Sequence, residues 1–198
     1  MDEDKMSVLL LLDLSAAFDT IGHQILLFCL ETAFGISSIA LQWFRSYLLD
    51  RNQCVVVNNS TCSSSPLTFG VPQGSVLGPL LFVLYTTPLW NIITGNHSVN
   101  HQLSADDTQL QKSTPPHDAQ SLTHDLQPRT DDIKAWMCNN QLKLDEDKAE
   151  AILFSTPSLS SCHCLPSSIM VGTHEMVFSD KSWTQGLSLT LTSQWSNT

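Results

Sequence analysis

Apolar residues fall into runs of different period along this chain, and each period predicts a different element. Ser7 to Leu14 (SVLLLLDL) is almost continuously apolar and ends in an acid. Such a run suits a strand buried on both faces. An aspartate at its end is costly unless it is paired or binds a cation. In SAAFDTIGHQILLFCLETAF, from Ser15, the residues Phe18, Ile21, Ile25, Phe28 and Cys29 recur at spacings of three and four. That spacing predicts an amphipathic helix stopped by Gly35. A second helix is expected from Ile39 to Leu49, with Leu41, Phe44, Tyr47 and Leu48 on one side. QCVVVNN reads as a strand ended by Asn58 and Asn59, and Thr61 to Pro66 as a polar loop.

Further along, FGVPQGSVLGPLLFVLYTTPLW sets Gly70, Gly74 and Gly78 ahead of a helical stretch expected from Pro79 to Tyr85. The glycines permit close backbone approach or unusual dihedrals. LSADDTQL, residues 103–110, reads as a hairpin with Asp106 and Asp107 at its turn. Two adjacent carboxylates suit either a solvated turn, where water screens them, or a cation site that stabilises the crowded charge. KSTPPHDAQ is a breaker-rich loop, followed by an amphipathic helix over 121–141 with Leu122, Leu126, Ile133 and Met137, which Pro128 is able to interrupt. QLKLDEDKAEAILF predicts a short strand, an acidic turn at Asp145 to Asp147 and a second strand. From Ser155 the chain is rich in serine and threonine, so residues 155–198 are expected to form a weakly structured extension of a domain spanning 1–154. The pattern as a whole is α+β.

Composition narrows the picture. The 198 residues are 42% hydrophobic, enough for a sizeable core. The formal charge of −10 gives no electrostatic gain from approaching phosphate backbones, so a nucleic-acid role has to account for that deficit. The six cysteines show no framework spacing, and Cys162-His163-Cys164 lacks a second ligand pair for zinc. The apolar N-terminal run follows the acidic MDEDK, unlike a secretion signal. No stretch is expected to span a bilayer, so an intracellular chain with no membrane partner is expected.

Three features line up in order: Asp13 after a buried strand, a glycine-punctuated loop from Gly70, and the Asp106-Asp107 pair. Carboxylates on adjacent strand ends can hold two divalent ions that clamp the attacking and leaving oxygens of a phosphoryl transfer. Here the sequence resembles the reverse transcriptases of non-LTR, LINE-type retrotransposons. LLDLSAAFDTIGH resembles the first palm motif, GVPQGSVLGPLLFVLY the second, SADDTQL the third and WMCNNQLKLDEDKAEAILF the fourth. GISSIALQWFRSYLLDRNQCVVV also follows the family pattern, so the likeness spans residues 8 to 155, with a weaker echo to Ser179.

The resemblance implies a polymerase palm, an antiparallel sheet with helices packed on one face. It implies RNA-directed DNA polymerase activity, with an RNA template, a DNA primer, deoxynucleoside triphosphates and two Mg²⁺ (or Mn²⁺) ions. Asp13, Asp106 and Asp107 would be the metal ligands. Phe18 would lie under the sugar and exclude a 2′-hydroxyl, although a helix core also wants an aromatic there. Gly70, Pro72, Gln73 and Gly74 would shape the surface beneath template and nucleotide. Lys148 would lie near the leaving pyrophosphate as a proton donor, or is an ordinary solvated turn lysine.

The chain departs from the family at Ser104, where tyrosine is usual, and at Gly22, usually aspartate. Basic fingers upstream and a thumb downstream are expected to be missing, which accounts for the acidic balance. The composition after Asp180 is consistent with a shifted reading frame. The alternative to a polymerase is a catalytically inactive retrotransposon relic without nucleic-acid grip. Uncovered apolar surfaces would favour self-association.

Overall fold

The computed structural model describes residues 5–95, 99–155 and 165–182, with side chains to Ser179. Its centre is strand β1, Met6–Ser15. On one side β1 pairs antiparallel with β7, Asp107–Thr114, which pairs antiparallel with β6, Asn100–Ser104. On the other it pairs antiparallel with β8, Lys143–Ser155, and β11, Ser179–Ser182, adds a parallel edge. The order is therefore β11-β8-β1-β7-β6.

β1 alternates although its sequence does not. Met6, Val8, Leu10, Leu12 and Leu14 are buried, while Leu9, Leu11 and Asp13 on the other face are half-buried. The continuous leucine run predicted burial on both faces, but only one face is fully covered. Helix α4, Gln120–Asn139, packs on β7 and β8, and helix α3, Leu77–Thr94, packs on β6, α4 and α1 (His23–Thr32). Leu81, Phe82, Tyr85, Leu126 and Ile133 join the β1 leucines in one core, consistent with the expected α+β class.

Several elements differ from expectation. α1 begins at His23 rather than at Ser15. Ala16 has φ 52°, a left-handed conformation that cannot propagate a helix. The Phe18 and Ile21 carbonyls accept hydrogen bonds from Val71 and Gly70 instead of from the next helical turn. Phe28, placed on the apolar face by its spacing, is 66% exposed. Helix α2, Ser38–Leu48, agrees with its spacing.

The strand and polar loop expected over 53–66 form one narrow ribbon. β2 (Asn52–Gln53) pairs with β5 (Ser65–Pro66), and β3 (Val56–Val57) with β4 (Ser60–Thr61). Asn58 and Asn59, at φ 49° and 63°, make the two-residue turn that suits a tight hairpin. On the ribbon, Val55, Val56 and Val57 are exposed among the described residues.

α3 extends well past Tyr85, through Pro88. Pro88 has no N–H to give the Leu84 carbonyl, and the buried Cys29 thiol donates to that carbonyl at 3.4 Å. α3 is long and apolar enough to cross a membrane by length and composition, contrary to the sequence expectation. In this fold, Leu81, Phe82, Tyr85, Leu89 and Ile93 of that helix are buried. α4 likewise continues through Pro128. The acidic turn at 145–147 is a bulge inside the single strand β8. Beyond Ser155, the described residues contain the hairpin of β9 (Ser168–Val171) and β10 (His174–Val177), whose Ile169, Val171 and Met176 are buried, besides β11. Cys162, His163, Cys164 and the chain from Trp183 onward lie outside the described residues.

Candidate polymerase site

Two groups of residues lie at the same end of β1. The first is the carboxylate edge. The β1–β7 ladder runs as far as Leu12↔Thr108, so Asp13 and Asp107 stand at neighbouring strand ends. β6 and β7 close on Ser104↔Asp107, leaving Ala105 and Asp106 as the hairpin loop. Ala105 takes φ 52°, a cost that this tight reversal imposes on a non-glycine residue. The Asp107 carboxyl is held above the usual carboxylate range, first by lost hydration and then by the charges of Asp106 and Asp13. The three predicted ligands therefore share one electrostatic environment.

Asp13 has both oxygens engaged. Oδ1 accepts the Leu14 N–H at 2.8 Å, and Oδ2 receives the Lys148 ammonium at 3.0 Å. Lys148 also reaches Asp145 Oδ2 at 3.4 Å, and Asp145 lies directly across from Asp13 in the β1–β8 ladder. The two carboxylates push the Lys148 pKa upward, the Asp13 hydrogen bond first among the causes. Lys148 gets there because the β1–β8 register breaks between Leu11↔Glu150 and Asp13↔Asp145, setting Leu12 against residues 146–149. Asp145 was missed by the sequence reading, which assigned it to a turn.

The second group is the Gly70 loop. Gly70 N–H donates to Ile21 O at 2.8 Å and Val71 N–H to Phe18 O at 2.9 Å. Gly70 has φ 83°, and a Cβ there would lie 3.1 Å from the Asp19 carbonyl oxygen, so both dihedral and space call for glycine. His23, buried at the start of α1, holds the Gly70 carbonyl at 2.7 Å through Nε2, which must carry the proton because a carbonyl only accepts. The amide of Gln73 donates to both oxygens of Asp19, at 3.1 and 3.2 Å. Phe18 packs on Phe82 with ring centroids 5.0 Å apart. Pro72 and Gly70 border an open groove of about 500 Å³ together with Asp19, Arg51, Gln53 and Phe69. Asp19 and His23 are structural partners of the predicted residues that apolar periodicity could not expose. Gly74, at φ 76°, ends the loop.

The reverse transcriptase (RNA-dependent DNA polymerase) family matches residues 1–184. The chain belongs to the reverse transcriptase family. It is 28% identical over 161 residues to the RNA-directed DNA polymerase from mobile element jockey of Drosophila melanogaster, covering 78% of this chain and 17% of that protein. To the jockey polymerase of Drosophila funebris it is 30% identical over 171 residues, covering 83% of this chain and 18% of the relative. This reverse transcriptase chain thus spans less than a fifth of the length of these relatives. Among solved structures it is similar to telomerase from Candida albicans in complex with a fragment of telomeric RNA. That likeness has a TM-score of 0.58 at 13% identity, covers 86% of this chain and 29% of the telomerase chain, and concerns the fold. The family and its mobile-element relatives agree with the non-LTR, LINE-type resemblance of the four motifs.

Reverse transcriptases in general depend on divalent metal. Carboxylates are the hard oxygen donors that Mg²⁺ and Mn²⁺ prefer, and Asp13, Asp106 and Asp107 lie at one end of the sheet. Among the described residues, no three His, Cys, Asp or Glu side chains already stand in a coordinating cluster. Asp13 is turned to Lys148 instead.

Proposed function

We propose that this chain is the palm-like portion of an RNA-directed DNA polymerase that adds deoxynucleotides to a primer 3′-hydroxyl on an RNA template. The convergence of Asp13, Asp106 and Asp107 at one sheet end carries the reading. Asp13 and Asp106 would hold two Mg²⁺ or Mn²⁺ ions, with Asp107 the outer member. When bound, such ions activate the attacking hydroxyl and neutralise charge on the leaving group.

The protein's own groups supply orientation and proton handling. Phe18, braced by Phe82, presents an aromatic edge beneath the sugar of the incoming deoxynucleotide. Gln73 donates to Asp19 through one amide nitrogen, which leaves its carbonyl oxygen for the nucleotide or template. Gly70, Pro72 and Gly74 keep that surface low enough for a base pair to lie on it. Lys148 would give a proton to the departing pyrophosphate. A net charge of −10 offers little grip on phosphates, so template and primer would be held chiefly by parts of the polymerase beyond this segment.

Primer extension on an RNA template with Mn²⁺ or Mg²⁺, comparing this chain with Asp106→Asn, tests the reading. Extension, even if weak, that the variant abolishes would support the polymerase reading. No extension by folded protein of either kind would favour the inactive relic, a reading to which the acidic balance and the engaged Asp13 carboxylate lend support.

A further inference from the structure

We propose that Lys148 is a resident counter-cation occupying the Asp13 carboxylate, and that Asp145 is where its ammonium is parked when a divalent ion takes Asp13. The proposal rests on the metal reading above and deepens it, giving Lys148 and Asp145 a task before any nucleotide arrives.

Four observations converge. Asp13 and Asp145 face each other across adjacent antiparallel strands, an arrangement in which like charges repel. The Lys148 ammonium lies between them, at 3.0 and 3.4 Å. Its reach depends on the register break that sets residues 146–149 against Leu12, so the bulge delivers this side chain to the ligand strand. Finally, Lys148 is 62% exposed whereas the two acids are 21% exposed. A solvated lysine on a long stem moves easily, while the carboxylates it bridges stay with the sheet.

The Leu14 N–H on Asp13 Oδ1 leaves other lone pairs of that carboxylate free, but an ammonium on Oδ2 competes directly with an incoming cation. Once an ion neutralises Asp13, Asp145 becomes the better partner and keeps Lys148 within one side-chain length of the reaction site. Lys148 would thus hold the edge together when metal is scarce and stand nearby when it is bound.

Binding of Mn²⁺ to the whole chain, followed by the electron paramagnetic resonance signal of the free ion, tests this without reference to activity. Lys148→Met should tighten Mn²⁺ binding by about five-fold, the range expected for removing an exposed ion-pair competitor. Lys148→Arg, which keeps the charge, should not tighten it. Asp145→Asn should weaken binding when Lys148 is present and leave it unchanged in the Lys148→Met background, because the parking site matters only if there is a lysine to park. Unchanged or weaker binding by Lys148→Met would overturn the counter-cation. Equal weakening by Asp145→Asn in both backgrounds would overturn the parking role. Should neither the native chain nor Lys148→Met bind Mn²⁺ more than an Asp13→Asn control, the metal reading itself would fail and this inference with it.

Discussion

The Gly70 loop and the carboxylate edge lie at the same end of β1, yet they are held by different forces. Buried hydrogen bonds stitch the loop down, from His23 to Gly70 O and from Gly70 and Val71 to the turn after Ala16. The edge consists of crowded like charges steadied by one exposed lysine. Hydrogen bonds inside a protein keep their geometry whether or not a ligand is present, whereas an exposed ion pair contributes little and exchanges partners readily. The Gly70 loop is therefore preorganised, whereas the carboxylate edge is held loosely enough to reorganise.

Perturbing each region should break this contrast in a predictable order. The largest effect is expected from Phe82→Ala, which removes the fully buried ring beneath Phe18 and should cost about 3–5 kcal/mol in urea unfolding. His23→Leu strips the donor from the buried Gly70 carbonyl and should cost about 1–3 kcal/mol. Amide hydrogen exchange should quicken over residues 69–74 and stay unchanged at Asp107. At the edge the sign reverses. Ala105→Gly relieves a left-handed non-glycine residue and should stabilise by up to about 1 kcal/mol, read as a higher midpoint in urea.

The smallest effect carries a pH signature. Because the folded Asp107 pKa is raised, stability is fully present below the ordinary aspartate range and declines as pH rises through the raised value. Asp107→Asn removes that decline. Without divalent ions the variant should melt higher than the parent at neutral pH, and the difference should vanish in acid.

The two regions also differ in how readable they were. The placement of Asp13, Asp106 and Asp107 was legible because an acid ending an apolar run and an Asp-Asp hairpin are local signals, and the register of β1 and β7 brings them to one sheet end as strand pairing suggests. Gly70 to Gly74 were legible as a motif, but what anchors them was not. His23 and Asp19 act through contacts 47 and 54 residues away in sequence, which no periodicity reports. Helix spacing also continued falsely through Ala16 to Ile21, because tertiary hydrogen bonds to the Gly70 loop outweigh local helical preference. Likewise the acids at 145–147 have turn composition, yet pairing with the long β1 keeps them in a strand and expels the surplus as a bulge. α3, expected only to Tyr85, runs on through Pro88, and a thiol from another helix donates to the Leu84 carbonyl that the proline leaves without an N–H.

Paramagnetic broadening by Mn²⁺ of the backbone amide signals tests the central claim most directly. Loss of signal is expected centred on Asp13, Ala105, Asp106 and Asp107, with Gln73 and Gly74 losing less. Broadening centred instead on the acidic bulge at Glu146 and Asp147, or spread evenly over the surface, would contradict it.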